Sequence, residues 1–270
     1  MPGKKEQDKE LQELQEKLSA IKRRILVLSG KGGVGKSTVS TNIAVGLSLR
    51  DNMVGLLDVD LHGPNIPNML GLKGTQPPVT PEGAYPVVYS PTLKVMSIGF
   101  FAKDNDAIIW RGPLKHRAIQ QFLSDIIWGA LDYLIVDSPP GTGDEVLSIR
   151  HLLGKVDGAI IVATPQDVAL ADVKRSIKFC EATQTPILGI IENMSGFVCP
   201  KCGEVINIFK SGGAETLAKE LNIRFLGRIP IDPKLVEAGD EGKPCVEYYP
   251  ESEPAKAFFK IIEQIEEILK

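Results

Sequence analysis

At 270 residues, with 43% apolar and 24% charged side chains, the chain has apolar content for a sizeable core without crosslinks. A net charge of −3 argues against a basic nucleic-acid-binding face, and no apolar run approaches the ~20 residues that span a bilayer. Met1 to Arg24 is charged throughout and lacks the apolar centre of a signal peptide, so a cytoplasmic protein with no nucleic-acid and no membrane partner is expected.

Lys4 to Arg23 reads as a helix with Leu11, Leu14, Leu18 and Ile21 on one stripe, an N-terminal helical arm over residues 1–23 that packs on the body or on a partner. Residues 24–270 then alternate short apolar runs with amphipathic segments. The runs read as strands are Ile25–Leu28, Val54–Leu57, Lys94–Ile98, Tyr133–Val136, Ala159–Ala163, Ile187–Ile191 and Phe225–Leu226. Helices are expected at Gly35–Leu49, Pro113–Ile127, Gly143–Leu153, Ala169–Ala182, Gly213–Leu221, Pro233–Ala238 and Glu253–Leu269. Short, doubly buried strands separated by helices predict an α/β fold, a single domain with a mostly parallel sheet and helices on both faces. Gly71–Pro91, rich in proline, glycine and threonine, reads as a long surface loop. The last helix carries lysines and glutamates in equal number from Ala255 to Lys270, unlike the basic face of a membrane-binding helix, so packing on the domain is expected.

Gly30-Lys31-Gly32-Gly33-Val34-Gly35-Lys36-Ser37-Thr38 joins the first apolar strand to the helix that follows. Strand, glycine loop and helix form the setting in which successive backbone N–H groups and a helix N-terminus hold a polyphosphate. Lys36 reaches the β- and γ-phosphates, and the Ser37 hydroxyl sits on Mg²⁺.

Strand ends deliver further acids to the same crevice. Val54–Leu57 leads into Asp58-Val59-Asp60, and Tyr133–Val136 into Asp137, an aspartate placed to hold Mg²⁺ through water. Ser138-Pro139-Pro140-Gly141-Thr142-Gly143 follows, a stiff segment with a permissive glycine that can swing as a unit when the γ-phosphate is lost. A proline-rich turn without a switching role is the rival reading.

Cys199-Pro200-Lys201-Cys202-Gly203 lies just beyond the strand Ile187–Ile191. Two cysteines at this spacing can aim both sulfurs at one metal, but a thiolate site for zinc or an iron–sulfur cluster usually needs four. The other cysteines are distant: Cys180 lies in an apolar-periodic helix and Cys245 in a loop after Pro244. A two-fold dimer supplies the missing half, because the same loop then meets its own copy. A redox disulfide and an inert turn are the alternatives.

The second lysine, Lys31, resembles the deviant P-loop of the MinD/ParA/nitrogenase-iron-protein ATPases. That resemblance implies a catalytic Lys31 reaching across a dimer to the partner's nucleotide, Asp60 orienting the attacking water and Asp58 supporting the Mg²⁺ shell. It also implies Asn193 at the adenine edge of ATP, with Ile229-Pro230-Ile231-Asp232 closing the base pocket. From Arg24 to Tyr249 the chain resembles the Mrp/ApbC family of iron–sulfur cluster carrier ATPases. The resemblance is carried by the double-lysine loop, Asp58-Val59-Asp60-Leu61-His62-Gly63-Pro64-Asn65, Trp110-Arg111-Gly112-Pro113, Ala118–Leu123, Asp132–Asp137, Pro139–Asp144, Glu192-Asn193-Met194-Ser195 and Cys199-Pro200-Lys201-Cys202.

That family implies ATP binding and slow hydrolysis, a homodimer, a labile [4Fe-4S] cluster bridged by Cys199 and Cys202, and transfer of the cluster to apo iron–sulfur proteins. Some relatives carry a cysteine-bearing N-terminal extension; here the segment before Arg24 has no cysteine, so a second cluster is not expected. Competing readings are a MinD/ParA-like positioning ATPase with a structural zinc at the dimer interface, and an electron-transfer ATPase like the nitrogenase iron protein. A zinc-stapled dimer is the third, since sulfur ligation alone does not choose zinc over iron.

Overall fold

The computed structural model of the chain describes residues 4–61, 63–101, 112–199 and 201–270. Its elements run α1 (Lys4–Leu18), β1 (Ile21–Leu28), α2 (Lys36–Ser48), β2 (Val54–Asp58), α3 (Ile66–Met69), β3 (Val79–Thr80), β4 (Gly83–Ala84), β5 (Val87–Ser90) and β6 (Leu93–Ser97). They continue with α4 (Gly112–Asp125), β7 (Leu131–Asp137), α5 (Asp144–Leu152), β8 (Gly158–Ala163), α6 (Asp167–Ala182), β9 (Ile187–Val198) and β10 (Val205–Ile206). Then follow α7 (Gly213–Glu220), β11 (Phe225–Ile231), α8 (Pro233–Asp240), α9 (Cys245–Tyr248) and α10 (Glu253–Ile268).

The main sheet has the order β10-β9-β8-β1-β7-β2-β6-β5, with β11 also on β9. Its pairings are parallel except β5 on β6 and β10 on β9. Side-chain alternation along β1 shows why both faces are covered: Ile25 and Val27 enter one core with α2 and α10, while Leu26 and Leu28 enter another with α1 and α5. The final helix is bound to the body through Phe258, Ile261, Ile262 and Ile265, all buried. Each such side chain contributes about 1.5–3 kcal/mol of burial.

The α/β architecture follows the sequence reading, and three local expectations need correction. The helix expected over Lys4–Arg23 stops at Leu18; Ser19 and Ala20 turn the chain, and Ile21 already pairs with Leu131 in the sheet. Sheet pairing outweighs a helical stripe that Ile21 happened to continue. The loop expected over Gly71–Pro91 contains the β3–β4 hairpin and the antiparallel edge strand β5. Cys245 lies not in a loop but in α9, where it is buried.

The helix α1 packs on its own chain: Leu14 and Leu18 join the core of α4 and α5, Gln15 Nε2 donates to the Leu152 carbonyl at 2.7 Å, and Lys17 Nζ donates to the Ser124 carbonyl.

Candidate functional site

Parallel register brings the acidic strand ends together. Asp58 at the end of β2 pairs with Asp137 at the end of β7, and Asp137 pairs in turn with Val27 of β1, just before the glycine loop. The loop crosses this edge and starts α2 at Lys36. Gly35, its N-cap, has φ 80°, and a Cβ there would lie 2.2 Å from Asn193 Nδ2. Only glycine satisfies both the left-handed backbone and that close approach. No side chain caps α2, so its first N–H groups are available to an anion.

Lys36 Nζ lies 2.8 Å from Asp137 Oδ1. The Ser37 hydroxyl donates to Asp137 Oδ2 at 2.7 Å and the Ser40 hydroxyl to Oδ1 at 2.6 Å. Hydroxyl and carboxylate oxygens side by side are hard donors of the kind Mg²⁺ takes, so Ser37 and Asp137 fit that ion. Ser40 was not singled out from sequence, although it stands three positions after Ser37 on the same face of α2.

Asp58 is fully buried and accepts from Ser97 Oγ at 2.9 Å, from Asp60 N at 3.2 Å and from Ile66 N at 3.4 Å. Burial, then the neighbouring charge of Asp137, pushes its carboxyl up to about 7. Asp60 is buried at the same edge, and Lys31 is half-buried in the loop.

Ser138 has a definite place: its hydroxyl donates to the Val27 carbonyl at 2.6 Å, and Gly141 N donates to the Ser29 carbonyl at 2.8 Å. These bonds fasten the Pro139-Pro140-Gly141 segment to the end of β1. Gly141, at φ 89°, occupies the left-handed region that glycine adopts without strain.

A cleft of about 840 Å³ opens beside the loop, lined by Gly35, Thr38, Asn193, Met194, Pro230 and Asp232 among others. Asn193 is buried, and its Nδ2 donates to the Val34 carbonyl at 2.8 Å, so this amide grips the glycine loop itself. Asp232 accepts from Lys234 N at 2.9 Å and caps α8. Both residues thus stand at the cleft expected for a base while also holding its walls.

Beyond the cleft, β9 runs on into a tight antiparallel hairpin with β10. Phe197 pairs with both Ile206 and Ile231, so β10 and β11 occupy opposite edges of β9. Cys199 N donates to the Glu204 carbonyl at 2.9 Å and Gly203 N to the Cys199 carbonyl at 2.8 Å, closing the turn that carries Cys199 and Cys202. The N–H groups of Lys201 and Cys202, and then the Cys202 thiol, draw the Cys199 thiol below its usual range, favouring thiolate. Cys202 is exposed.

The other thiols are inert by comparison. Burial pushes Cys180 up to about 12 and raises Cys245. Among the described residues no group of three or more His, Cys, Asp and Glu side chains could hold a metal ion. The hairpin's surroundings expose Val198, Val205, Ile206, Ile208 and Phe209, an apolar rim whose Phe209 also lines the cleft. His62, Trp110, Arg111 and Pro200, parts of the quoted motifs, lie outside the described residues.

No helix among the described residues is long and apolar enough to cross a membrane.

A family model described as ParA, NUBPL iron-transfer P-loop NTPase, matches residues 20–266. An iron-sulfur cluster carrier protein of Methanocaldococcus jannaschii is 52% identical over 94% of this chain and 87% of its own length. A cytosolic Fe-S cluster assembly factor Nubp2 homolog of Anopheles gambiae is 51% identical over 91% of this chain and 96% of its own. Among solved structures, a nucleotide-binding protein from Archaeoglobus fulgidus in complex with ADP is 41% identical, with a TM-score of 0.77 over 90% of this chain and 98% of that one.

Proposed function

Because this chain belongs to the ParA/NUBPL family of iron-transfer P-loop NTPases, we propose that it is a carrier ATPase of the following kind. It binds and hydrolyses ATP, holds a labile [4Fe-4S] cluster as cargo across a homodimer, and passes the cluster to apo iron–sulfur proteins. The observation that carries this reading is the hairpin at the tip of β9. It presents two thiols, one of them drawn toward thiolate, and no third ligand accompanies them among the described residues. Two copies of such a hairpin supply the four sulfurs that a cubane cluster takes. The names of the M. jannaschii and A. gambiae relatives support the same cargo, and the latter supports a cytoplasmic location.

In the nucleotide half, Gly30 to Thr38 cradles the polyphosphate, and Lys36 leaves Asp137 to pair with the β- and γ-phosphates. Ser37 and Asp137 would hold Mg²⁺, whose positive charge would offset the negative charge of the phosphate oxygens. Asp60 orients the attacking water, and Lys31 offers its ammonium to the partner's transferring phosphoryl group. Asn193, Pro230 and Asp232 border the base.

The positioning-ATPase alternative fares worse: the apolar side of α10 is spent on the core, and a thiol hairpin has no task in that role. Anaerobic reconstitution with iron and sulfide tests the reading. Wild-type protein should gain thiolate–iron absorbance and deliver it to an apo-acceptor in a nucleotide-dependent way, with zinc assayed alongside. Zinc retained in place of iron, with no delivery, would count against a carrier.

A further inference from the structure

Glu192 and Asn193 are consecutive on β9, so their side chains leave opposite faces of the strand. On one face Asn193 grips the Val34 carbonyl of the glycine loop. On the other, the Glu192 carboxylate is wholly buried and serves as a clasp. Its Oε1 accepts from Ser195 Oγ at 2.5 Å and from Gly212 N at 2.8 Å, and its Oε2 accepts from Ala214 N at 2.8 Å. Arg228 Nε lies 3.3 Å from Oε1, and the Ser195 and Ser211 hydroxyls are 3.1 Å apart.

These contacts close the base of one excursion of the chain. It leaves after Ser195, carries Cys199, Cys202 and Phe209, and returns at Ser211 and Gly212. Phe209 reaches back to line the nucleotide cleft. Two left-handed residues, Met194 at φ 57° and Gly196 at φ 81°, flank Ser195. The cysteine hairpin is thus fastened at both ends to a strand position whose neighbour holds the glycine loop.

We propose that Glu192 is the positioning residue that couples nucleotide state to metal affinity at Cys199 and Cys202. The inference rests on the carrier reading and adds the route of its coupling. A nucleotide biases a distant site only through contacts that differ between its states. Val34 belongs to the loop proposed to cradle the phosphates, so a shift of that loop with the γ-phosphate moves the Asn193–Val34 bond, and the Glu192 clasp passes that difference to both ends of the hairpin. Such coupling is reciprocal, so metal at the thiols must alter nucleotide affinity by the same factor.

The test is an anaerobic Co²⁺ titration of the full chain, read by thiolate–cobalt absorbance, with Mg-ADP and with a non-hydrolysable ATP analogue. Wild-type cobalt affinity should differ between the two by about five-fold or more, and Glu192→Gln should bring that ratio to within about two-fold of unity. Gln turns an amide N–H₂ toward the Gly212 or Ala214 donor, while nucleotide affinity without metal should hold. A purely structural Glu192 would lower the melting temperature and leave the ratio intact, which overturns the proposal. Should Glu192→Gln fail to fold, Ser195→Ala removes only the hydroxyl contacts and should still shrink the ratio; an unchanged ratio there also overturns it. Wild-type protein that binds cobalt tightly with a ratio of one sinks the coupling and leaves the carrier reading standing. No cobalt binding at all sinks both.

Discussion

Lys36 Nζ sits 2.8 Å from Asp137 Oδ1, with the two side chains only 6% and 1% exposed. The lysine proposed for the phosphates is thus held by the carboxylate proposed for Mg²⁺. On the proposed reading, nucleotide and metal would each draw on one partner of this buried ion pair.

Lys36→Ala should therefore do two separable things. It should abolish nucleotide binding, read by calorimetric titration, and it should leave the Asp137 charge buried and unpaired. Removing one partner of a buried pair costs about 3–5 kcal/mol, read by denaturant unfolding without nucleotide. Adding Asp137→Asn to Lys36→Ala should recover much of that stability and none of the binding.

The raised carboxyl of Asp58 makes stability pH-dependent in a specific direction. Its folded value, about 7, lies above the ordinary value of 3.8, so the folded state holds the proton more tightly. The stabilisation is fully present below about pH 4 and is lost as pH rises through 7. Relative to Asp58→Asn, the nucleotide-free wild type should lose melting temperature steadily from pH 4 to pH 8. A difference that stays flat across this window would contradict the assignment.

Thiol reactivity should divide the four cysteines into pairs. Under native conditions iodoacetamide should modify Cys199 and Cys202, and peptide mass mapping should find Cys180 and Cys245 unmodified until the chain is unfolded. Cys199→Ala with Cys202→Ala should keep nucleotide affinity, whereas Cys180→Ala should keep the iron.

Lys31 tests the proposed cross-dimer chemistry. Lys31→Ala should retain ATP binding yet lose at least about 100-fold in steady-state hydrolysis, the scale of one preorganised charge at a transition state. Comparable turnover in the variant would assign Lys31 to solvent.

Much of this was legible in the chain. The strand–loop–helix order around Gly30 to Thr38, the aspartate closing β7 and the cysteine pair are local patterns, and local patterns survive folding. Less local features were hidden. The split roles of Glu192 and Asn193 depend on two segments, Val34 and Gly212–Ala214, that meet β9 only in the folded sheet. Ile21 fitted a helical stripe because Leu14 and Leu18 share its core, and only pairing with Leu131 puts it in a strand. Edge strand β5 escaped because the proline- and glycine-rich sequence before it reads as loop, while its pairing partner β6 lies next in the chain.

Native mass spectrometry of the anaerobically reconstituted protein addresses the central claim most directly. The account predicts a two-chain species carrying a single [4Fe-4S] unit, which disappears in the doubly substituted Cys199/Cys202 variant. A single chain carrying its own complete cluster, or an iron complement that survives loss of both thiols, would contradict it.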